Sequence, residues 1–242
     1  MASAKQHYEE LLSDIYSWMF GGLERGVERN AAFFDRLGIR PRGSGTAFDL
    51  GAGCGFQSIP LARLGFAVTA VDLDQKLLQE LVAHAGPHSV STVQDDLLEF
   101  DRYAEGPVEL VVCMTDTILH LESKHDVRRL FRKVYAALEP GGRFIVTFRD
   151  LSQELVDLDR FLLVRADDTT ILTCFLEYEP GSVKVHDLVH RKQDGAWHLH
   201  KSYYRKLRLS RDWVTSELLA AGFADLDVDV MEGGMIAAVA TR

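Results

Sequence analysis

Phe48-Asp49-Leu50-Gly51-Ala52-Gly53-Cys54-Gly55-Phe56 is the stretch whose reading decides the fold. It reads as the end of a buried strand, a turn built on three glycines, and the start of a helix. Glycines at alternate positions free the backbone for positive φ and let a ligand lie where any Cβ would collide. In open parallel sheets, ligands bind outside the carboxyl ends of the strands, where the strand order reverses. The loop therefore predicts both a sheet type and the edge at which a ligand sits.

Outward from this loop, apolar runs at 46–50, 66–71, 89–93 and 107–113 read as strands. Helical periods at 56–64 and 75–85 separate them, with a turn of helix near 97–104. Val127, Leu130, Phe131, Val134, Tyr135 and Leu138 form one stripe of a helix over 122–138, and Pro140-Gly141-Gly142 breaks it before a strand at 143–148. Such alternation means a parallel sheet covered on both faces. Residues 8–19 place Tyr8, Leu11, Leu12, Ile15, Tyr16 and Met19 on one helix face, stopped by Gly21-Gly22. A second helix with Phe33, Phe34 and Leu37 ends at Gly38.

After residue 150 the rhythm changes. Residues 151–160 read as helical, and 161–165, 170–178, 183–192 and 196–208 as strands with no helix between them, hence antiparallel. Gln193-Asp194-Gly195 is taken as a three-residue hairpin loop. That loop length puts Val183, Val185, Val189, Trp197, Leu199 and Tyr203 on one face, and His186, His190, His198, His200 and Tyr204 on the other. The histidine face is open to three readings: a solvated or intersubunit surface, an acceptor pocket, or a metal site. A helix over 211–221, capped by Ser210 and stopped by Gly222, precedes two strands at 223–230 and 235–241 that meet at Glu232-Gly233-Gly234. The expected fold is a doubly wound α/β domain: a mostly parallel, seven-stranded, Rossmann-like sheet with an antiparallel last strand and an inserted antiparallel β subdomain. Its parts are N-terminal helices at 1–40, a core at 41–150 and 210–242, and the insertion at 151–209.

The chain has 242 residues, 47% hydrophobic and 26% charged, the balance of a globular domain. Its 27 basic against 36 acidic side chains give a net charge of −9, which argues against nucleic-acid or anionic-membrane partners. No run approaches the ~20 apolar residues of a membrane span, and MASAKQHYEELL is too polar for a signal peptide. Cys54, Cys113 and Cys174 lie far apart, so no disulfide framework or cysteine zinc site is implied. A cytoplasmic setting is the expectation.

The ligand profile narrows further. Phe56 stands where a dinucleotide fingerprint puts its last glycine, and no Gly-Lys-Ser/Thr follows, which excludes a triphosphate loop. Asp49, two residues before the first glycine, suits a ligand with a positive amino group. Asp72, in Ala70-Val71-Asp72-Leu73-Asp74, is placed to accept from two ribose hydroxyls. The profile is a ribonucleoside with a cationic tail and no phosphate.

These segments resemble those of the class I S-adenosylmethionine-dependent methyltransferases of small-molecule type. FDLGAGCGF is similar to the first motif of that family and AVDLD to the second. Val93-Gln94-Asp95-Asp96-Leu97 resembles the segment after the third strand, Leu110 to Thr115 the fourth motif, and Leu138 to Gly142 the turn before the fifth strand. The resemblance implies S-adenosylmethionine as cofactor and S-adenosylhomocysteine as product. It implies cofactor contacts at Asp49, Gly51, Ala52, Gly53, Gly55, Phe56, Asp72, Leu73, Asp95, Asp96, Leu97, Met114 and Thr115. Asp96 and Leu97 take the adenine, with Asp95 as the alternative. Tyr8, Tyr16 and Trp18 are candidate lid contacts. His120 is the candidate base, and Arg149 and Tyr204 are candidate acceptor contacts. No metal is expected, since the carboxylates at Asp116 and Asp150 make an incomplete set. The implied reaction is methyl transfer to an N or O nucleophile, or else S, of a small molecule, by a monomer or homodimer with the insertion as acceptor lid. A nicotinamide-dependent oxidoreductase, or a non-catalytic nucleoside-binding protein, using the same crevice is the alternative.

Overall fold

The computed structural model describes residues 4–242. A seven-stranded sheet runs in the order β3-β2-β1-β4-β5-β11-β10. Its strands are β1 (Thr46–Leu50), β2 (Ala67–Asp72), β3 (Val90–Gln94), β4 (Val108–Cys113), β5 (Leu138–Arg149), β10 (Ala224–Val230) and β11 (Met235–Thr241). β1 through β5 pair in parallel, while β11 runs antiparallel to both β5 and β10. The chain order reverses at β1, which lies between β2 and β4. The glycine loop leaves the sheet there, as the spacing predicts.

The helices follow from amphipathic runs with identifiable ends. They are α3 (Leu23–Arg36), α4 (Ser58–Arg63), α5 (Gln75–Ala85), α6 (Lys124–Ala137) and α7 (Arg211–Ala221). Asp74 caps α5 through the amides of Lys76 and Leu77, Ser123 caps α6 and Ser210 caps α7. Gly222, at φ 109°, ends α7 in the left-handed region. Phe131, Val134 and Leu218 join Phe144 and Phe148 on one side of the sheet. Phe33 and Phe34 cover Leu61, Val68 and Ile145 on the other. Every large side chain at these positions is buried, so burial of roughly 1.5–3 kcal/mol each holds the layers together.

The N-terminal segment departs from the uniform helix that its periodicity predicts. It comprises α1 (Ala4–His7), a wider π turn (Tyr8–Leu12), a tighter 3₁₀ turn (Ser13–Ile15) and α2 (Tyr16–Met19). Ser13 Oγ donates to the Tyr8 carbonyl at 2.8 Å and also to the Asp74 carboxylate, so a side chain competes with the regular ladder at this point. We call residues 4–19 the strap.

The second sheet, in the order β6-β7-β8-β9, comprises β6 (Phe161–Ala166), β7 (Thr170–Tyr178), β8 (Ser182–Gln193) and β9 (Ala196–Leu207), all antiparallel. Two expectations are corrected here. Residues 151–156 are not helical, because Arg208 takes the carbonyls of Leu151 and Ser152 and Asp150 takes the Ser152 amide; one 3₁₀ turn, Asp157–Arg160, follows. The β8–β9 loop has two residues, not three. Asp194 and Gly195 sit at φ 50° and 80°, the type I′ geometry, and Gln193 pairs with Ala196. Shortening a loop by one residue moves every following side chain to the opposite face. Val185 therefore pairs with Tyr204 and Val189 with His200, while His186 and His190 pair with Tyr203 and Leu199. The four histidines are split between faces, and no four-histidine surface exists.

The face carrying Leu172, Leu176, Val183, Val185, Val189 and Tyr204 packs against Leu12 and Ile15 of the strap. At one end, buried His7 Nε2 lies 2.8 Å from Asp187 Oδ2, whose other oxygen accepts from Cys174 Sγ at 2.7 Å. At the other end, Trp18 Nε1 donates to Asp167 at 2.6 Å. Removing Asp187 leaves a buried imidazole and a half-buried thiol without that acceptor. Asp187→Ala should cost about 1–3 kcal/mol in urea unfolding, and the loss should appear also as weaker protection of strap amides from exchange.

Candidate active site

A cavity of about 880 Å³ opens at the carboxyl ends of β1, β2 and β4, roofed by the strap and β9. Its floor is the glycine loop. Gly51 and Gly53 lie at φ 75° and 53° and line the cavity. A Cβ on Gly51 would meet Thr117 Cγ2 at 2.3 Å, and one on Gly53 would meet the Tyr16 ring at 3.2 Å. Gly55 points away, toward Leu81, so its freedom serves the turn rather than the ligand. The Gly51 and Ala52 amides both donate to the Val71 carbonyl, at 2.8 and 3.1 Å, which fixes the loop beside the end of β2.

Asp72 stands at that end. Its carboxylate accepts from the Gly53 and Asp74 amides, both at 2.8 Å. Burial pushes its carboxyl up from the ordinary value, and those amides oppose the shift by favouring the ionised form. A carboxylate offers about four acceptor positions, so two remain for ligand hydroxyls. Leu73, Asp95, Asp96 and Leu97 continue the same wall. Asp95 accepts from the Tyr103 hydroxyl at 2.7 Å, which with the Asp96 amide lowers its pKa, while Asp96 caps the turn Leu97–Tyr103 through the Leu98 amide.

Asp49 is placed differently. It is 1% exposed, behind the loop, and accepts from Ser58 Oγ at 2.6 Å while its other oxygen has no partner. Burial pushes its carboxyl up to about 7, against the Ser58 hydroxyl. Ala52 and Phe56 are buried beneath the loop, and Met114 is in the core between sheet and helices. Trp18 faces the second sheet, with Arg165 over its ring. Of the strap aromatics, Tyr8 and Tyr16 reach the cavity wall.

Beyond the loop, Thr115 and Asp116 both adopt positive φ, 58° and 69°, which is strained for a β-branched residue. Thr147 holds this turn: its Oγ1 accepts from the Thr115 amide at 2.7 Å and its carbonyl from the Asp116 amide at 3.1 Å. Asp116 in turn accepts from the Arg149 amide at 2.8 Å, from the Arg149 guanidinium, and from Lys206 Nζ at 2.8 Å. Arg149 is thus engaged with Asp116 and stands off the cavity wall, whereas Lys206 is on it.

His120 ends the short 3₁₀ turn Thr117–His120 and lines the cavity. Its ring stacks on Tyr204 with centroids 5.2 Å apart and planes at 15°, and meets the Tyr8 ring edge-on at 5.7 Å. Burial lowers its pKa to about 3, assisted by the Lys206 charge, and its buried Nδ1 has no hydrogen-bond partner. Lys206 and Thr117 escaped the sequence reading. Thr117 has no motif to mark it; Lys206 would have stood out with the two-residue turn, which aligns it with Val183 on the inward face.

The fold is Rossmann-like, and the crevice lies where strand order reverses, the place at which such sheets bind their ligands. Residues 47–142 match the family model described as a methyltransferase domain. A glycine/sarcosine/dimethylglycine N-methyltransferase of Actinopolyspora halophila is 27% identical over 140 residues, 57% of this chain but 24% of the relative. The chain thus spans about a quarter of the length of that curated relative. Among solved structures, the CcbJ methyltransferase of Streptomyces caelestis superposes with a TM-score of 0.77 at 22% identity, covering 98% of both chains. The amino pentose methyltransferase CalS10 of Micromonospora echinaspora, bound to S-adenosylmethionine, gives 0.74 at 19% identity over 90% of this chain and 91% of its own. Over residues 47–142 the chain is thus similar to a methyltransferase domain, and its fold is that of solved methyltransferases, one of them bound to S-adenosylmethionine. The residues present fit that cofactor: Gly51 and Gly53 line the cavity without a Cβ, and the Asp72 carboxylate has acceptor positions to spare.

Two measurements test that fit. Asp72→Ala should weaken S-adenosylhomocysteine binding by roughly 2–4 kcal/mol in calorimetry, since each hydrogen bond to a charged group contributes about 1.5–3 kcal/mol. Gly53→Val should abolish binding while the circular dichroism spectrum persists; a folded variant that still binds tightly would place the crevice elsewhere.

Proposed function

We propose that the chain transfers the methyl group of S-adenosylmethionine to a nitrogen of a small-molecule amine. The observation that carries this reading is the acceptor end of the cavity. There a neutral imidazole, His120, forms a cluster of three mutually touching rings with Tyr8 and Tyr204, beside the strained turn at Thr115. Two similar proteins support it, the glycine/sarcosine/dimethylglycine N-methyltransferase and the sugar N-methyltransferase KedS8 of a Streptoalloteichus species, since both act on nitrogen. No observation favours hydride transfer.

S-adenosylmethionine brings a methyl group already activated by the positive sulfonium, so the protein contributes alignment and exclusion of water. Asp72 holds the nucleoside end, and Asp96 with Leu97 the base. Gly51 and Gly53 let the amino-acid tail approach the backbone, and Asp49 acts from behind the loop. The strap and the insertion form the lid, with Tyr16 over Gly53 and Tyr204 beside the acceptor. Burial keeps the phenols of Tyr8 and Tyr204 protonated, so they present donors and apolar ring faces.

The His120 pKa decides its role. A group held near 3 is too weak a base to carry a proton at neutral pH, and a free amine needs no base before attack. His120 instead accepts an N–H bond and points the nitrogen lone pair at the methyl group. Its contribution is then that of one neutral hydrogen bond, about 0.5–1.5 kcal/mol, not the 10²–10⁴-fold of general-base catalysis. Initial rates with labelled donor and a panel of amines test this. His120→Ala should lower kcat/KM about tenfold and leave donor affinity unchanged. The wild-type rate should rise with pH as the acceptor amine loses its proton, with no break in the ordinary histidine range. A break near pH 6.5 that vanishes in His120→Ala would make it a base. An enzyme that methylates hydroxyl acceptors but no amine would overturn the nitrogen assignment.

A further inference from the structure

We propose that Lys206 selects acceptors that carry an anionic group, a carboxylate or a phosphate, close to the nitrogen that is methylated. The inference rests on the methyltransferase reading and adds to it the charge of the substrate.

The charge count around Asp116 carries the argument. Its side chain is 2% exposed, and one oxygen is shared by the Arg149 guanidinium and by Lys206 Nζ at 2.8 Å. Burial alone would push the carboxyl up, but Lys206 and Arg149 outweigh it and hold Asp116 well below the usual carboxylate range, so it is ionised. Two cations therefore face one anion. Among the described residues no other carboxylate pairs with Lys206 or Arg149. The excess positive charge sits on Lys206, 12% exposed, on the cavity wall. An ammonium has three donors, and Asp116 takes one.

The other basic groups on the wall are matched. Arg129 pairs with Glu99, and Arg205 with Glu179. The wall also carries six carboxylates, none of them paired with Lys206: Asp72, Asp74, Asp95 and Asp96 after β2 and β3, Asp126, which accepts from the Ser123 hydroxyl, and Glu122, exposed where water and salt screen it. Lys206 is 12% exposed, so water and salt screen its charge less than that of an exposed side chain.

The bound donor adds a sulfonium to this end of the cavity. A purely cationic acceptor would meet two like charges with no counter-charge, whereas a carboxylate or phosphate closes the balance and uses the free Lys206 donors. The same positive field disfavours an ammonium and so keeps the attacking nitrogen unprotonated.

The test is calorimetric titration of the S-adenosylhomocysteine-loaded protein with matched pairs: sarcosine against dimethylamine, and glucosamine 6-phosphate against glucosamine. At least one anionic member should bind ten or more times tighter than its partner, and which pair responds distinguishes carboxylate from phosphate. That advantage should vanish in Lys206→Met and Lys206→Gln and survive in Lys206→Arg, with S-adenosylhomocysteine affinity unchanged and the circular dichroism spectrum retained at the temperature of the titration, even where loss of the buried pair with Asp116 lowers the melting temperature. The proposal is overturned if the members lacking the anion bind as well, if the advantage survives in Lys206→Met, or if no member binds. Failure of wild-type protein to bind S-adenosylhomocysteine would instead remove the methyltransferase reading itself.

Discussion

One carbonyl organises the site. Val71 O, the last carbonyl before Asp72, accepts the amides of both Gly51 and Ala52. Those two bonds bend the chain as it leaves β1 and bring the Gly53 amide onto the Asp72 carboxylate. Gly51 and Gly53 make that bend at positive φ, and their lack of a Cβ leaves room for Thr117 and Tyr16 to close over the loop. The position of the acid, the close approach of those side chains and the direction of α4 all derive from this turn. The parallel pairing of β1 with β2 supplies the carbonyl at the required height.

Around this fixed floor, the roof is assembled from segments far apart in the chain. The strap is anchored downward by Ser13 on Asp74 and by Asp14 on Lys76. It is anchored upward by His7 on Asp187 and Trp18 on Asp167. The acid that caps α5 next to the nucleoside wall thus also holds the roof. At the far end, the Thr115–Asp116 turn is kept in its strained form by Thr147 of β5, so this part of the cavity wall is set by the sheet and not by a free loop. Carboxylates gather after β2 and β3, where Asp72, Asp74, Asp95 and Asp96 line the cavity, while Lys206 of β9 stands on the wall.

The architecture of the core was legible because its signals are local. Glycine spacing, the acid after Val71 and the stripe on α6 each act within a few residues. The second sheet was legible as strands but not in register. Asp194-Gly195 fits either loop length, and a single residue decided whether Tyr204 or Tyr203 faced inward. The helix expected at 151–160 failed for a tertiary reason, since the Arg208 side chain, more than fifty residues on, takes the carbonyls that a helix would use. Arg149 was legible as a cation after β5. Its engagement with Asp116 was not, because it depends on a left-handed turn that no threonine or aspartate announces. Methionine and alanine at 114 and 52 follow the motif yet lie under the wall, since a motif marks a backbone path and not which side chains face the ligand.

The bond between His7 and Asp187 joins residues 180 positions apart. During synthesis the strap emerges before β8, and His7 has no partner until that strand has been made. Non-local contacts of this kind form late, after loop closure has been offset by other packing. The α/β core and the lower anchors of the strap on Asp74 and Lys76 involve no residue of the second sheet, so only the upper anchor waits for β8. Any fusion or truncation near residue 7 would act on that last step, and so on a cavity whose floor it never touches.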